Sequence, residues 1–86
     1  MTISKATARE LREYKGMGWS GYEYLAKVWL GETEVNAKAV DSMAKAAMAG
    51  GTRYVKAASK LAAVTGDVME AISIMDWLQN GMRKWQ

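Results

Sequence analysis

The stretch DVMEAISIMDWLQN, residues 67–80, decides the fold of this chain. Asp67 and Glu70 have the spacing of a capping box, in which each side chain accepts a hydrogen bond from a backbone N–H at a helix start. The residues that follow are apolar around almost the whole helical circumference. Such a helix is central in a fold or forms half of an interface. We therefore predict a helix over residues 67–80, with Ile72 and Met75 buried at the centre of its broadest face, either in the monomer core or in a homo-oligomer contact.

A second capping box gives the clearest helix start in the N-terminal half. Ser20 and Glu23 have the required spacing, and Trp19 and Tyr24 occupy the two positions of a hydrophobic staple. These signals predict a helix from residue 20 to about residue 30. Tyr24 lies on one face of this helix, and one of the two faces is expected to enter the core, the other to lie near solvent. The residues that share the second face are Tyr22, Leu25, Ala26 and Trp29.

Glycines separate the remaining predicted helices. Apolar spacing and polar residues at helix starts predict them over residues 4–15, 33–49 and 52–65, with Ser4, Thr33 and Thr52 as the N-terminal caps. No stretch alternates in hydrophobicity as a strand would. The sequence therefore predicts an all-α fold: one domain over residues 1–86, built as a small bundle of four to five short helices joined by glycine-containing turns.

The composition argues against several classes of function. The chain of 86 residues contains no His and no Cys, so it lacks the usual general base near neutral pH, the thiolate nucleophile and the ligands of a zinc finger. Glu32, Glu34 and Asp41 do not have the spacing of an EF-hand and are interpreted as solvated acids at a helix start. We expect no catalytic residues, no metal and no cofactor, and hence no enzyme.

Charged residues interrupt every apolar stretch of the chain. The longest runs without a charge are residues 16–22 and 46–52, each seven residues long, whereas a membrane-spanning helix needs roughly 20. The N-terminus has no apolar segment typical of a secretion signal. We therefore expect a cytoplasmic protein without a membrane span.

Aromatic and methionine residues suggest protein binding as the first functional hypothesis. Five of the eight aromatic residues lie between residues 14 and 29, too many for one helical face to bury. Trp, Tyr and Met are enriched at protein interfaces, although they can also replace Phe and Leu in a core. The hypothesis is a non-enzymatic protein-binding module, an adaptor, small inhibitor or self-assembling subunit, and a homo-oligomer is expected. Its candidate contact residues are Trp19, Tyr22, Tyr24, Trp29, Trp77 and Trp85.

The charge distribution suggests nucleic-acid binding as the alternative. The chain has a net charge of +3, and residues 42–66 carry four basic residues and no acidic one. Three of these residues recur at helical spacing, as on a helix that faces phosphates. An ordinary solvated face is the competing interpretation. The candidate residues are Lys45, Arg53, Lys56 and Lys60.

Two fragments of the sequence resemble DNA-binding domains. The segments 11–17 and 25–27 are similar to the start of phage-repressor-type domains, and residues 46–50 followed by Arg53 and Lys56 resemble part of a helix-turn-helix. In that family a later helix enters the major groove. The two fragments assign the motif to different helices, so the chain is not assigned to the family. The resemblance implies that a nucleic-acid binder would be of helix-turn-helix-like type.

Overall fold

The structure, a computed structural model, describes residues 3–30 and 34–85, but not the side chains of residues 29, 34–36 and 85. Within these residues every regular element is a helix, which confirms the predicted all-α bundle. The predicted cap Thr33 lies outside the described residues. The five helices are α1 (Lys5–Gly16), α2 (Gly21–Trp29), α3 (Glu34–Ala49), α4 (Gly51–Thr65) and α5 (Val68–Trp85).

Helix α5 is the centre of the bundle and contacts each of the other four helices. Met75 is fully buried, as the sequence predicts. Ile72 is only half-buried in the single chain, so it is not the core residue that the sequence allows it to be. The buried face is rotated toward Ile74 because α5 is apolar nearly all round, and its own pattern does not specify which side faces inward. The side chains that α5 buries are Ala71, Ile74, Met75, Leu78 and Met82.

A contact between two glycines explains why α5 is longer than predicted. The helix continues through Gly81 to Trp85 instead of ending near residue 80. Gly81 lies against the backbone of Gly21 at the start of α2, and a Cβ atom on either glycine would collide with the backbone of the other helix. Gly81 therefore allows α2 and α5 to approach closely, and it does not end α5.

The predicted capping residues of α2 and α5 are confirmed. The Ser20 hydroxyl accepts a hydrogen bond from the backbone N–H of Glu23 at 3.0 Å. The Asp67 carboxylate accepts from the backbone N–H groups of Met69 at 2.9 Å and Glu70 at 3.2 Å. Both caps satisfy donors that the helix itself leaves without a partner. The same holds for Ser4, which caps α1.

Helix α4 begins earlier than predicted. Gly50 is its N-terminal cap, and Gly51 is already helical, so Thr52 lies inside the helix and does not cap it. Gly50 has a φ of +69° and Gly51 a φ of +54°. Side chains disfavour this left-handed region and glycine tolerates it. The glycine pair thus makes a tight connection in which Gly50 alone joins α3 to α4.

Helix α2 turns the face of Tyr24 inward. Tyr24, Leu25 and Val28 are buried, whereas Tyr22 is 39% exposed. The contact of Gly21 with α5 fixes this rotation, because the residues one helical turn after Gly21 must then face the core. Of the two faces that the sequence left open, the one with Tyr24 enters the core and Tyr22 lies near solvent. The side chain of Trp29 is outside the described residues.

Replacing Ser20 with Ala tests the cap of α2. The change removes the acceptor for the Glu23 N–H and should lower the stability by about 1 kcal/mol. In a domain of this size that corresponds to a fall of roughly 4–8 °C in melting temperature. Ser59→Ala, at an exposed position inside α4, is the control and should leave the melting temperature unchanged. An unchanged melting temperature in Ser20→Ala would contradict the cap.

Replacing Gly81 with Ala tests the contact between α2 and α5. The added methyl group meets the Gly21 backbone, so we expect a loss of about 1–3 kcal/mol or more in the free energy of unfolding measured in urea. Gly16→Ala is a matched control, because a Cβ atom added at Gly16 would have no neighbour within 4 Å. There Ala should be neutral or stabilise by about 0.5–1 kcal/mol. Equal effects of the two substitutions would show that the glycine contact does not form.

Candidate functional site

A basic cavity lies between α3 and α4, with a volume of about 170 Å³. Arg53, Lys56 and Lys60 of α4 line it together with Ser42 of α3, and none of its lining residues is acidic. The apolar part of the lining comes largely from side chains that also belong to the core. These apolar residues are Ile3, Ala39, Met43, Ala46 and Ala57.

The position of the three cations follows from the way α4 packs. Ala57 and Leu61 are its buried residues and hold it on the bundle. Arg53, Lys56 and Lys60 lie on a neighbouring flank at i, i+3 and i+7, so their side chains share one side of the helix. All three are exposed, and none forms an ion pair with another described residue. Their charge is therefore available to an anion in solvent.

Lys45, the fourth predicted basic residue, is separate from this group. Its ammonium lies 3.0 Å from the carboxylate of Asp41, one turn earlier on α3. It is absent from the lining of the basic cavity. The structure thus brings together three of the four residues predicted from the sequence, and Lys45 is neutralised locally.

A second basic cavity, between α1 and the end of α4, was not predicted from the sequence. Lys5, Arg9 and Arg12 line it together with Val64, and its volume is about 330 Å³. Arg12 donates from Nε to the Glu70 carboxylate at 2.7 Å. Lys5 and Arg9 are exposed and form no ion pair within the described part of the chain.

The sequence contained one signal for this second cavity. Lys5, Arg9 and Arg12 are spaced at i, i+4 and i+7 and therefore share a face of α1. Residues 1–41 have a net charge of zero, because six acidic residues balance six basic ones. The net charge of this segment therefore does not show that three of its basic residues share one face of α1.

Most of the described aromatic side chains pack against one another. The Tyr14 ring lies 4.8 Å from Trp19 and 4.8 Å from Tyr24, and Tyr24 lies 5.5 Å from Trp77, measured between ring centroids. The Lys27 ammonium lies over Tyr14 and Trp19, at 5.5 and 4.7 Å from the centroids. We call Tyr14, Trp19, Tyr24 and Trp77 the aromatic cluster.

The packing of the aromatic cluster decides which of the predicted protein-binding residues are buried and which remain on the surface. Tyr24 is only 1% exposed, so it is a core residue in this structure and presents no surface to a partner. Trp19 and Trp77 are half-buried, and the Trp77 indole N–H donates to the Trp19 carbonyl at 2.6 Å. Tyr22 remains on the surface. The side chains of Trp29 and Trp85 lie outside the described residues.

Three large apolar side chains of α4 and α5 are exposed to solvent. Val55, Val68 and Met69 are 60%, 62% and 74% exposed. Val55 and Val68 line a groove of about 240 Å³, which also contains Tyr54 and Ile72. We call it the apolar groove. It lies on the flank of α4 opposite to the basic cavity.

The hydroxyl of Tyr54, which lines the apolar groove, has a pKa that is shifted from its ordinary value. Its hydroxyl donates to the Asp76 carboxylate at 3.4 Å. Burial raises the pKa of Tyr54 above its ordinary value, and the nearby negative charge of Asp76 raises it further. The hydroxyl therefore keeps its proton, which it already donates to Asp76 within the chain.

The geometry offers neither a metal site nor a membrane span in the residues that the structure describes. Within residues 3–30 and 34–85, no three acidic side chains come together in a way that could hold a metal ion. In the same part of the chain, no helix combines the length and the apolar character needed to cross a membrane.

Comparison with known proteins gives no relative from which a function could be transferred. No family model, no curated protein and no solved structure matches the chain. The features that bear on function are therefore the two basic cavities, the apolar groove and the aromatic cluster.

Replacing Trp77 with Phe tests whether the aromatic cluster is part of the fold. The substitution keeps an aromatic ring but leaves the Trp19 carbonyl without its donor, so it should cost about 1–3 kcal/mol in unfolding free energy. Leu30→Ala, at a site that is 84% exposed, should change stability by less than about 0.5 kcal/mol. Urea denaturation of both variants measures the difference. If Trp77→Phe were as stable as the unchanged protein, the hydrogen bond to Trp19 would contribute nothing to the fold.

Proposed function

We propose that this chain is a non-enzymatic nucleic-acid-binding protein that contacts the phosphate backbone through α4. The observation that carries the proposal is the basic cavity, where Arg53, Lys56 and Lys60 line one space and no acidic residue joins them. Cations that neutralise phosphates release counterions from the nucleic acid, and this release drives sequence-independent binding.

The spacing of the three cations suits a phosphate backbone. Lys60 lies seven positions after Arg53, which is a rise of about 10 Å along the helix. One strand of a duplex carries a charge every ~3.4 Å of helix axis, and because the strand winds around that axis its neighbouring phosphates lie farther apart than this rise. The three cations therefore extend over more than one phosphate.

The surroundings of the cations favour nucleic acid over a membrane surface. Peripheral membrane helices place large apolar side chains beside their cations, so that these side chains insert between lipids. The exposed residues of α4 beside its cations include Thr52, Ser59 and Ala63. Small side chains of this kind let a backbone approach closely, but they insert poorly into a bilayer.

A non-enzymatic role is supported by the chemistry of the same cavity. The chain contains no His and no Cys, and no carboxylate lines the cavity. A hydrolytic reaction on a bound phosphate would need a general base or a metal to activate water. The lining has no carboxylate and no imidazole for this task, so binding without chemical change is the role that fits it best.

The proposal does not rest on the helix-turn-helix resemblance. In that motif a turn of roughly 3–4 residues joins two helices, whereas Gly50 alone joins α3 to α4. The support comes from the placement of charge, which predicts contacts to phosphates and little discrimination among base sequences.

A second candidate function is self-association through the apolar groove. The exposed side chains of Val55, Val68 and Met69 favour it, because apolar residues clustered beside a groove mark contact surfaces. The homo-oligomer predicted from the sequence would use this surface and would sediment faster as the protein concentration rises. The protein-binding role of Trp19, Tyr22, Trp29, Trp77 and Trp85 stays a prediction, as does the cytoplasmic location.

Removing two cations from α4 tests the proposed function. Lys56→Gln/Lys60→Gln should weaken binding to a mixed-sequence DNA duplex and lower the slope of log affinity against log salt by about 1.8. Arg83→Gln/Lys84→Gln removes the same charge from exposed positions of α5 and should keep the slope of the unchanged protein. Fluorescence anisotropy over a salt series measures both.

The outcomes of this titration are distinct. No salt-dependent binding by the unchanged protein would overturn the proposed function. Equal losses in the two double variants would mean that only net charge matters and would remove the role of the basic cavity. Circular dichroism checks that each variant keeps its helical content.

A further inference from the structure

We infer that Lys5 and Arg9 form a second phosphate-binding site, and that the two basic cavities together hold one nucleic-acid duplex by its backbone. This inference rests on the proposed function and deepens it, because it assigns new contact residues and the strandedness of the ligand. Its starting observation is that the second cavity also contains cations without an ion-pair partner among the described residues.

The two cavities adjoin along α4 and along the start of the chain. Lys60 lines the first cavity and Val64 the second, one helical turn further along α4. Ile3 lines the first and Lys5 the second. The two cavities therefore follow one another along the same side of α4.

The combined length of the two cavities exceeds what a single phosphate group requires. From Arg53 to Val64 the rise along α4 is about 16 Å, and charges along one strand of a duplex repeat every ~3.4 Å. Since each strand winds around the axis, its phosphates lie farther apart than this repeat, but the two cavities still extend over more than one of them. A polymer with regularly spaced phosphates therefore uses both cavities and an isolated phosphate uses one.

Arg12 also lines the second cavity, but its guanidinium is already bound to other groups of the protein. Its guanidinium binds the Glu70 carboxylate at 2.7 Å and reaches the Thr65 carbonyl at 3.5 Å. It therefore ties α1 to the end of α4 and the start of α5. Lys5 and Arg9 are the cations of this cavity whose charge remains for a ligand.

The linings of both cavities favour a duplex over a single strand. Proteins that hold single strands stack the bases on aromatic side chains. No Trp or Tyr lines either cavity, and the described aromatic residues Tyr14, Trp19, Tyr24 and Trp77 pack together elsewhere. A duplex keeps its bases stacked internally and presents phosphates, which are the groups that these cavities can bind.

The test compares Lys5→Gln/Arg9→Gln with the control Arg83→Gln/Lys84→Gln, which removes equal charge. Both pairs are exposed in the described structure, so neither change should unfold the protein, and circular dichroism verifies this. On a mixed-sequence DNA duplex, the first variant should lose about 1.8 from the salt slope, and the control should lose nothing. The unchanged protein is also titrated with a single strand of the same length, with polyglutamate and with anionic lipid vesicles.

Each result has a separate meaning. Salt-dependent duplex binding that needs Lys56 and Lys60 but not Lys5 and Arg9 would overturn this inference and leave the proposed function intact. Tighter binding of the single strand would overturn the assignment of the duplex. Binding of polyglutamate or vesicles at least as tight as that of the duplex would overturn nucleic acid as the ligand. Complete absence of binding to any nucleic acid would overturn the proposed function itself.

Discussion

The backbone contact between Gly21 and Gly81 is the constraint on which the rest of the structure depends. It requires two positions without side chains, one at the first residue of α2 and one deep in α5. Once the helices touch there, the Trp19 carbonyl lies within hydrogen-bonding distance of the Trp77 indole. The rotation of α2 is then fixed, and Tyr24 enters the core. A single close approach thus sets the register of two helices and closes the aromatic cluster.

The central position of α5 determines what α4 presents to solvent. Because α5 supplies more of the fully buried large side chains than any other helix, α4 needs to bury only Ala57 and Leu61. A helix attached by so narrow a face leaves its flanks exposed. One flank carries the cations of the basic cavity and the other borders the apolar groove. The two candidate binding surfaces are therefore consequences of the same packing arrangement.

Local signals in the sequence predicted the helices well, and tertiary contacts determined what they could not. Ser20 and Asp67 are correctly predicted as caps because capping depends on neighbouring residues alone. The sequence left the inward face of α2 open and placed Ile72 at the centre of the wrong face of α5, because both helices are apolar on several sides. Only a contact with another helix selects among such faces.

The candidate site was predictable where charge is segregated along the chain and was missed where it is segregated across a helix. Residues 42–66 contain no acid, so the cations of α4 stand out in the sequence. The cations of α1 are interleaved with Glu10 and Glu13, which cancels the charge of the segment. Only Glu13 lies one helical turn from one of these cations, Arg9, so the face that the three cations share keeps a net positive charge. The net charge of +3 is small. The basic surface therefore comes from where folding places the acids. Asp67 caps α5, Glu70 binds Arg12 and Asp41 binds Lys45. Each of these acids is held at a helix start or in an ion pair, outside the linings of both basic cavities. The fold thus produces a locally cationic surface on a protein that is only weakly basic.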